Sequence, residues 1–316
     1  MNKENLAKAQ ARKRQGNPDD EYYTRYGDID RELWNYKEQF KGKRVYCPAD
    51  DYRSSEFVRW FTTNFKELGL KSFTATHYIN QQGDLFNQRP PSKPIKFEYD
   101  GSVERTTPLQ GDGDMLGEEC RAIIKNSDII ATNPPFSLSI DLQTLLLHVD
   151  VDFILVSSLP SLSNRPFVKH LYTKRAQVGH HTIAKFVTAE GGTKAVGAIW
   201  LQSLKDIEHP PLVLTESYDP VKHPKYDNYD AIECSKVADI PKDYYGKVGV
   251  PISYLLKHDQ RQFDFLGVFK SWTGWKGGGR IIGSPVVTVR GTLCRAPVLN
   301  SRELFSRSFI RRRAET

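Results

Sequence analysis

Cysteine is sparse in this chain: Cys47, Cys120, Cys234 and Cys294 are the only four in 316 residues, and no two form a C-x-x-C pair. That spacing suggests neither a zinc site nor a dithiol redox motif, so reduced thiols and no metal are expected. Long apolar runs are missing too, and nothing reaches membrane-spanning length. The first residues carry Lys3, Lys8, Arg12, Lys13 and Arg14 among small polar neighbours and lack the apolar core of a secretion signal. A soluble cytoplasmic protein with no membrane partner is the expectation. There is no internal repeat, and the oligomeric state stays open, a monomer being compatible with the sequence.

Hydrophobic residues make up 39% and charged residues 26%, proportions of a folded rather than a disordered chain. The length exceeds one core of typical size, so a large domain with a smaller appended region is expected. A formal net charge of +7 favours a polyanionic partner.

Residues 1–18 read as a basic arm ended by Asn17-Pro18, either a solvated tail or a contact to that polyanion. From Asp28 to Phe40, the spacing of Ile29, Leu33, Tyr36 and Phe40 predicts a helix with one apolar face, closed by Gly42. Arg44 to Cys47 is a short strand, and Phe57, Phe61, Phe65 and Leu68 follow at helical spacing up to Gly69. Lys71 to Tyr78 is a second strand, with a hairpin around Asp100-Gly101 after it. Leu116 to Lys125 reads as helix, Asp128 to Ala131 as strand, Ile140 to Val149 as helix and Val151 to Ser157 as a strongly apolar strand. Such alternation implies a mainly parallel sheet covered on both faces, which binds ligands at the carboxyl ends of its strands. Thr182 to Thr188 and Ala195 to Leu201, joined by Glu190-Gly191-Gly192, form an antiparallel edge pair. Residues 19–205 are therefore read as one α/β domain with a Rossmann-like sheet. Residues 206–316, rich in Tyr, Pro and Gly with short strand-like pieces, read as a separate irregular region.

The sharpest chemical signal is Asn133-Pro134-Pro135-Phe136, directly after the apolar strand Asp128-Ile129-Ile130-Ala131. An exocyclic amine on an aromatic ring is a poor nucleophile, because its lone pair is delocalised. The Asn side-chain oxygen and the carbonyl of the next Pro can accept both amine hydrogens and localise that lone pair. Two prolines fix the backbone that presents these acceptors. Phe136 can stack on a base rotated out of its duplex. The bland alternative is a Pro-rich turn with a buried Phe. The same tetrapeptide also suits glutamine side chains and guanine amines, so it specifies a planar amino group rather than one polymer.

Upstream, Gly111-Asp112-Gly113-Asp114-Met115 would end a neighbouring strand, with Asp114 able to accept from the amine of a cofactor's adenine, or it is an ordinary Gly/Asp turn. Asp50-Asp51 occupies the loop after the first strand, where a cofactor's amino-acid moiety rests, although the usual Gly-x-Gly is missing. Asp20-Glu21-Tyr22-Tyr23-Thr24 is either a helix-capping stretch or a segment that closes over a cofactor.

Together these pieces resemble the EcoRI-type adenine-specific DNA methyltransferase family, over most of the chain from about Asp20. The resemblance rests on Asp20 to Thr24, Lys41 to Asp51, Asn64-Phe65 with Leu68-Gly69-Leu70, and Asn133 to Ser137. Further matches are Tyr226-Asp227-Asn228-Tyr229-Asp230-Ala231-Ile232-Glu233 and Gly249-Val250-Pro251-Ile252. That family lacks the glycine-rich first motif, in agreement with this chain. The resemblance implies a methyl transfer from S-adenosylmethionine to the N6 amine of adenine in double-stranded DNA, without metal or covalent intermediate. It implies cofactor contacts at Tyr22, Tyr23, Thr24, Cys47, Asp50, Asp51, Asp114 and Asn133, with Asn133, Pro134, Pro135 and Phe136 at the target base. The stretch Ser271 to Pro297 looks longer than its counterpart in the family. It supplies Trp272, Trp275, Lys276 and Arg280 as DNA-binding candidates, alongside Arg302, Arg307, Arg311 and Arg312 near the C-terminus. For Arg311 to Arg313 a solvated basic tail is the alternative. Two other functions compete: a methyltransferase of the same core acting on RNA or protein glutamine, and an inactive DNA-binding or anti-restriction protein.

Overall fold

The structure is a computed structural model describing residues 22–79, 93–164, 167–168, 171, 175–188, 191–269, 287–289, 292–294 and 297–314. The basic arm 1–18 and Trp272, Trp275, Lys276 and Arg280 lie outside the described residues. Two compact units result, one from Met1–Ser158 with Ala176–Asp206, the other from Leu159–Arg175 with Ile207–Thr316.

In the first unit, α1 (Tyr26–Leu33) and α2 (Lys37–Phe40) are separated by a 3-10 turn at Trp34–Tyr36. The predicted stripe holds: Ile29, Leu33, Tyr36 and Phe40 are fully buried. The expected single helix is broken where the Asn35 amide donates back to the carbonyls of Arg31 and Glu32, 2.8 and 2.9 Å away. Next, α3 (Glu56–Thr63) starts at Ser55, whose hydroxyl accepts from the N–H groups of Phe57 and Val58. A further turn, α4 (Phe65–Leu68), ends at Gly69 with φ of 61°, the left-handed cap that glycine adopts without strain.

The sheet of this unit has nine strands: β1 (Tyr22–Tyr23), β2 (Arg44–Cys47), β3 (Ser72–Thr76), β4 (Ile95–Tyr99), β5 (Glu104–Pro108), β6 (Ile129–Thr132), β7 (Asp152–Ser158), β8 (Gln177–Thr188) and β9 (Thr193–Gln202). Their order is β1-β8-β9-β7-β6-β2-β3-β4-β5. The four central strands β7, β6, β2 and β3 run parallel. Antiparallel strands flank them on both sides, β9 and β8 beyond β7 and the β4–β5 hairpin beyond β3. Two helices, α5 (Glu118–Lys125) and α6 (Ser139–Val149), precede and follow β6. The tetrapeptide at 133–136 thus sits at the carboxyl end of a fully buried central strand.

One irregularity shapes the site. Between the pairs Val178↔Leu201 and Thr182↔Ile199, β8 advances four residues while β9 advances two. This bulge is held by Glu32, fully buried, whose carboxyl group accepts from the N–H groups of His180 and His181, from His181 Nδ1 and from the Tyr36 hydroxyl, at 2.8–2.9 Å. Gly179 is required beside it, since a Cβ there would lie 2.2 Å from Glu32 Oε1 and 2.6 Å from Trp200 Cβ. Bulges bend and twist the strand that carries them. In a flat sheet β1 would lie four strand spacings, roughly 19 Å, from β6. Yet Asn133 hydrogen-bonds to Tyr22, so the β8–β9 hairpin must curl to bring β1 back over the end of β6.

The second unit, expected to be irregular, contains a four-stranded sheet. Its strands are β10 (Ile232–Glu233), β11 (Lys247–Pro251), β12 (Phe263–Phe269) and, after two short ribbons of β13 (Val287–Val289) with β14 (Thr292–Cys294) and β15 (Val298–Leu299) with β16 (Arg302–Glu303), the terminal β17 (Arg307–Arg312). The order is β10-β11-β17-β12, so the arginine-rich segment, for part of which a solvated tail is the alternative reading, is a central strand. Val248, Val250, Ile310, Phe263 and Val268 form its buried apolar side. On the other face, Phe309 packs against Tyr226 and Tyr229.

Candidate active site

Strand register places the carboxyl ends of β2, β3 and β6 side by side: Cys47 pairs with Ala75, and Tyr46 with Ile130. Three loops therefore meet there, beginning at Pro48, His77 and Asn133. In the last of these, Asn133 Nδ2 donates to the Tyr22 carbonyl, which leaves Oδ1 as the acceptor the amide can offer elsewhere. Half-buried Phe136 lies 5.6 Å from the Tyr22 ring and 6.1 Å from Phe186, and those two rings are 5.9 Å apart. The three aromatics thus surround one corner of the tetrapeptide. Lys194 sits 5.0 Å over the outer partner, Tyr22.

The β2 loop contributes a buried carboxyl group. Asp50 accepts from Thr132 Oγ1 and from Ser55 Oγ, each at 2.6 Å, tying the loop to the end of β6 and to the cap of α3. Burial raises its pKa to about 6, against the lowering effect of those two hydrogen bonds. Cys47 ends β2 fully buried, and burial, then the nearby Asp50, pushes its thiol well up. Asp51 faces outward: burial raises its pKa, but hydrogen bonds and charge from Arg53, with His77, bring it below the usual carboxylate range. His77 Nε2 is 3.7 Å from Asp51, and burial lowers the imidazole pKa. Thr24 Oγ1 and His77 Nδ1 are buried polar atoms with no hydrogen-bond partner among the described residues. Tyr23 is exposed on the edge strand β1.

The Gly111–Met115 loop follows β5, which is separated from β3 by β4, and it returns to β3 through a 3.0 Å bond from Ile79 N to the Asp112 carbonyl. Asp114 is buried there, its Oδ1 accepting from the Leu116 N–H at 3.0 Å, so the loop is a Gly/Asp turn that also presents a carboxylate near the β3 end.

The C-terminal arginines divide by environment. Arg307 is committed inside the second unit, where its guanidinium bonds Glu233, which also accepts from Tyr226; the two ion-pair side chains are 14% and 4% exposed. That partnership removes it from a DNA-facing surface. Arg302 is exposed on β16, Arg311 pairs with Asp264, and Arg312 lies over the Tyr245 ring. Residues overlooked in the sequence are Thr132, Ser55, His77, Phe186 and Lys194. Ser55 could have been found as a helix cap and Thr132 as the lone polar residue ending an apolar strand. Phe186 and Lys194 carry no local signal.

A parallel-centred sheet with Asn-Pro-Pro-Phe at the end of a central strand defines an amino-methyltransferase. This chain belongs to the EcoRI family of adenine-specific methyltransferases, whose family model matches residues 5–191 and 181–313. It is 33% identical over 277 residues to the type II methyltransferase M.EcoRI of Escherichia coli, covering 78% of this chain and 85% of that protein. It is similar also to the type II methyltransferases M.MpnI of Mycoplasma pneumoniae, 31% identical over 269 residues (78% and 81% covered), and M.MgeORF184P of Mycoplasma genitalium, 28% identical over 270 residues (78% and 82% covered). No solved structure matches the chain. Membership of this family entails use of S-adenosylmethionine.

Proposed function

We propose that the chain methylates the N6 amine of an adenine extruded from double-stranded DNA, with the loops at 48–51, 77–79, 109–115 and 133–136 forming its active site. The observation that carries this is Asn133, placed at the end of β6 with its amide orientation set by the Tyr22 carbonyl. Asn133 Oδ1 and the Pro134 carbonyl accept the two amine hydrogens and localise the nitrogen lone pair. Phe136, with Tyr22 and Phe186 beside it, supplies an aromatic wall for the extruded base. The second unit serves as the target-recognition region. Sequencing that detects N6-methyladenine, applied to DNA from cells expressing the chain, tests the reading; DNA left unmodified would overturn it.

The cofactor fits the residues present. Carboxyl groups at Asp50, Asp51 and Asp114 suit a ligand bearing an ammonium, a sulfonium and an adenine amine, and Thr24 and His77 bring buried polar atoms still to be satisfied. When bound, S-adenosylmethionine supplies an electrophilic methyl group; no metal is required by this chemistry. Asp50 and Asp51 would hold its amino-acid end, and Asp114 its adenine amine.

A pH dependence follows. With a pKa of about 6, Asp50 is mostly protonated at pH 5 and ionised at pH 7.5. Cofactor affinity should therefore rise roughly tenfold across that interval if the ionised form binds. Stability of the ligand-free chain moves the other way. Folded Asp50 keeps its proton to about pH 6 whereas an unfolded one loses it near 3.8, so this group's contribution is lost as pH rises between those values. Calorimetric titration of S-adenosylmethionine at several pH values checks this, and Asp50→Asn should flatten the profile. An equally steep profile in Asp50→Asn would assign the effect to another group.

A further inference from the structure

Among the described residues of the second unit, Lys222, Lys225, Arg261 and Arg307 are ion-paired locally, and one corner of its sheet concentrates positive charge. In the register of the sheet, Lys247 of β11, Arg311 of β17 and Asp264 of β12 stand in one row on the same face. Arg313, just past the end of β17, turns to the same carboxylate, with Nε 2.8 Å from Asp264 Oδ1, while Arg311 reaches Oδ2 at 3.2 Å. Beside them Arg312 lies 5.2 Å over the ring of Tyr245, itself 52% exposed, and donates to the Lys242 carbonyl. Tyr245, Asp264 and Arg311 to Ala314 line a cavity of about 490 Å³.

The charge balance decides what this cavity can hold. Two guanidinium groups share one carboxylate, with a third, Arg312, beside them and Lys247 in the next position of the row, leaving a net positive corner. Arg311 and Arg313 each spend one N–H on Asp264, and both side chains remain about half exposed, at 52% and 47%. Exposed ion pairs of this kind are worth at most about 1 kcal/mol, so Asp264 aims the two forks without sequestering them. Planar guanidinium forks match the oxygens of a phosphate, and fixed strand positions hold them at a set spacing.

We propose that this corner is a phosphate-positioning site for the backbone of duplex DNA, with Arg311 and Arg313 as the binding groups and Asp264 as their latch. The proposal rests on the DNA reading above. It separates the C-terminal arginines into Arg307, which holds the unit together, and a sequence-independent anchor made by its neighbours. Backbone contacts fix register and orientation and carry no base information.

The test is equilibrium binding of the full chain to fluorescent duplexes over a series of KCl concentrations. One duplex contains the methylated sequence found in cells, and one lacks it. Arg311→Gln with Arg313→Gln should weaken both by the same factor, roughly tenfold, and reduce the salt slope by about two units, one per lost phosphate contact. Asp264→Asn removes the competing negative charge and should tighten both, a change of opposite sign that misfolding would not produce. An unchanged slope in the double variant, or a loss confined to one duplex, would overturn the proposal. If the unsubstituted chain methylates DNA and the slope is unchanged, the anchor alone fails; if it neither methylates nor binds duplex, the functional reading fails with it.

Discussion

Replacing Asn133 with Ala is expected to leave S-adenosylmethionine binding nearly intact while methyl transfer falls by roughly two orders of magnitude or more. The size follows from losing one oriented acceptor that acts on charge developing in the transition state, an effect that costs about 100- to 1000-fold in comparable sites. The geometry sharpens the expectation. Because Nδ2 is engaged by the Tyr22 carbonyl, only Oδ1 is available to the amine, and Ala removes both the acceptor and the tie to β1. Asn133→Asp offers oxygen in both positions, so one would face the Tyr22 carbonyl with no hydrogen between them; it should lose most activity although an acceptor remains. Single-turnover methylation of a duplex with saturating cofactor, alongside calorimetric cofactor binding, separates the two effects. Near-normal single-turnover rates in Asn133→Ala would remove Asn133 from the chemistry.

A comparably large effect on stability is expected at Glu32, which has no assigned chemical role. Glu32→Ala strips the acceptor from two backbone N–H groups, the Tyr36 hydroxyl and His181 Nδ1, and opens a cavity under β8. Each buried donor left unsatisfied costs on the order of 1–3 kcal/mol, so a total above about 3 kcal/mol is expected. The consequence reaches the site through the bulge. If β8 no longer bends at Gly179 to His181, β1 cannot hold Tyr22 against Asn133 and Phe136. Gly179→Ala, which forces a Cβ against Glu32 and Trp200, should weaken the same bend with the carboxyl group still present. Denaturant unfolding and hydrogen exchange at His180, His181 and Val187 would report it. Loss below about 1 kcal/mol in Glu32→Ala would show that the bulge is held by something else.

Much of this architecture was legible from short-range pattern. The stripe of Ile29, Leu33, Tyr36 and Phe40, the Gly69 cap and the apolar run before Asn133 are consequences of local periodicity and backbone preference, readable one window at a time. The hairpin at Asp100-Gly101 was legible for the same reason, since its strands are neighbours in sequence. The second unit's sheet was not: β17 pairs with β11 and β12, which precede it by dozens of residues, and no turn signal joins them. Arg307 and Arg311 look alike in sequence, yet one meets a buried Glu233 and the other a half-buried Asp264.

By itself, then, the sequence determined that a parallel-centred α/β sheet would carry Asn133-Pro134-Pro135-Phe136 at the end of a strand, because alternating apolar runs and a proline pair constrain the backbone wherever they occur. Only the tertiary structure decided which way the Asn133 amide is turned, through a carbonyl 111 residues away in the chain. It likewise decided that Asp50 is buried enough for its pKa to rise to about 6 and that Glu32 serves a strand bulge rather than a helix surface. Such properties depend on desolvation and on partners brought together from distant segments, and neither is a property of any stretch of sequence taken alone.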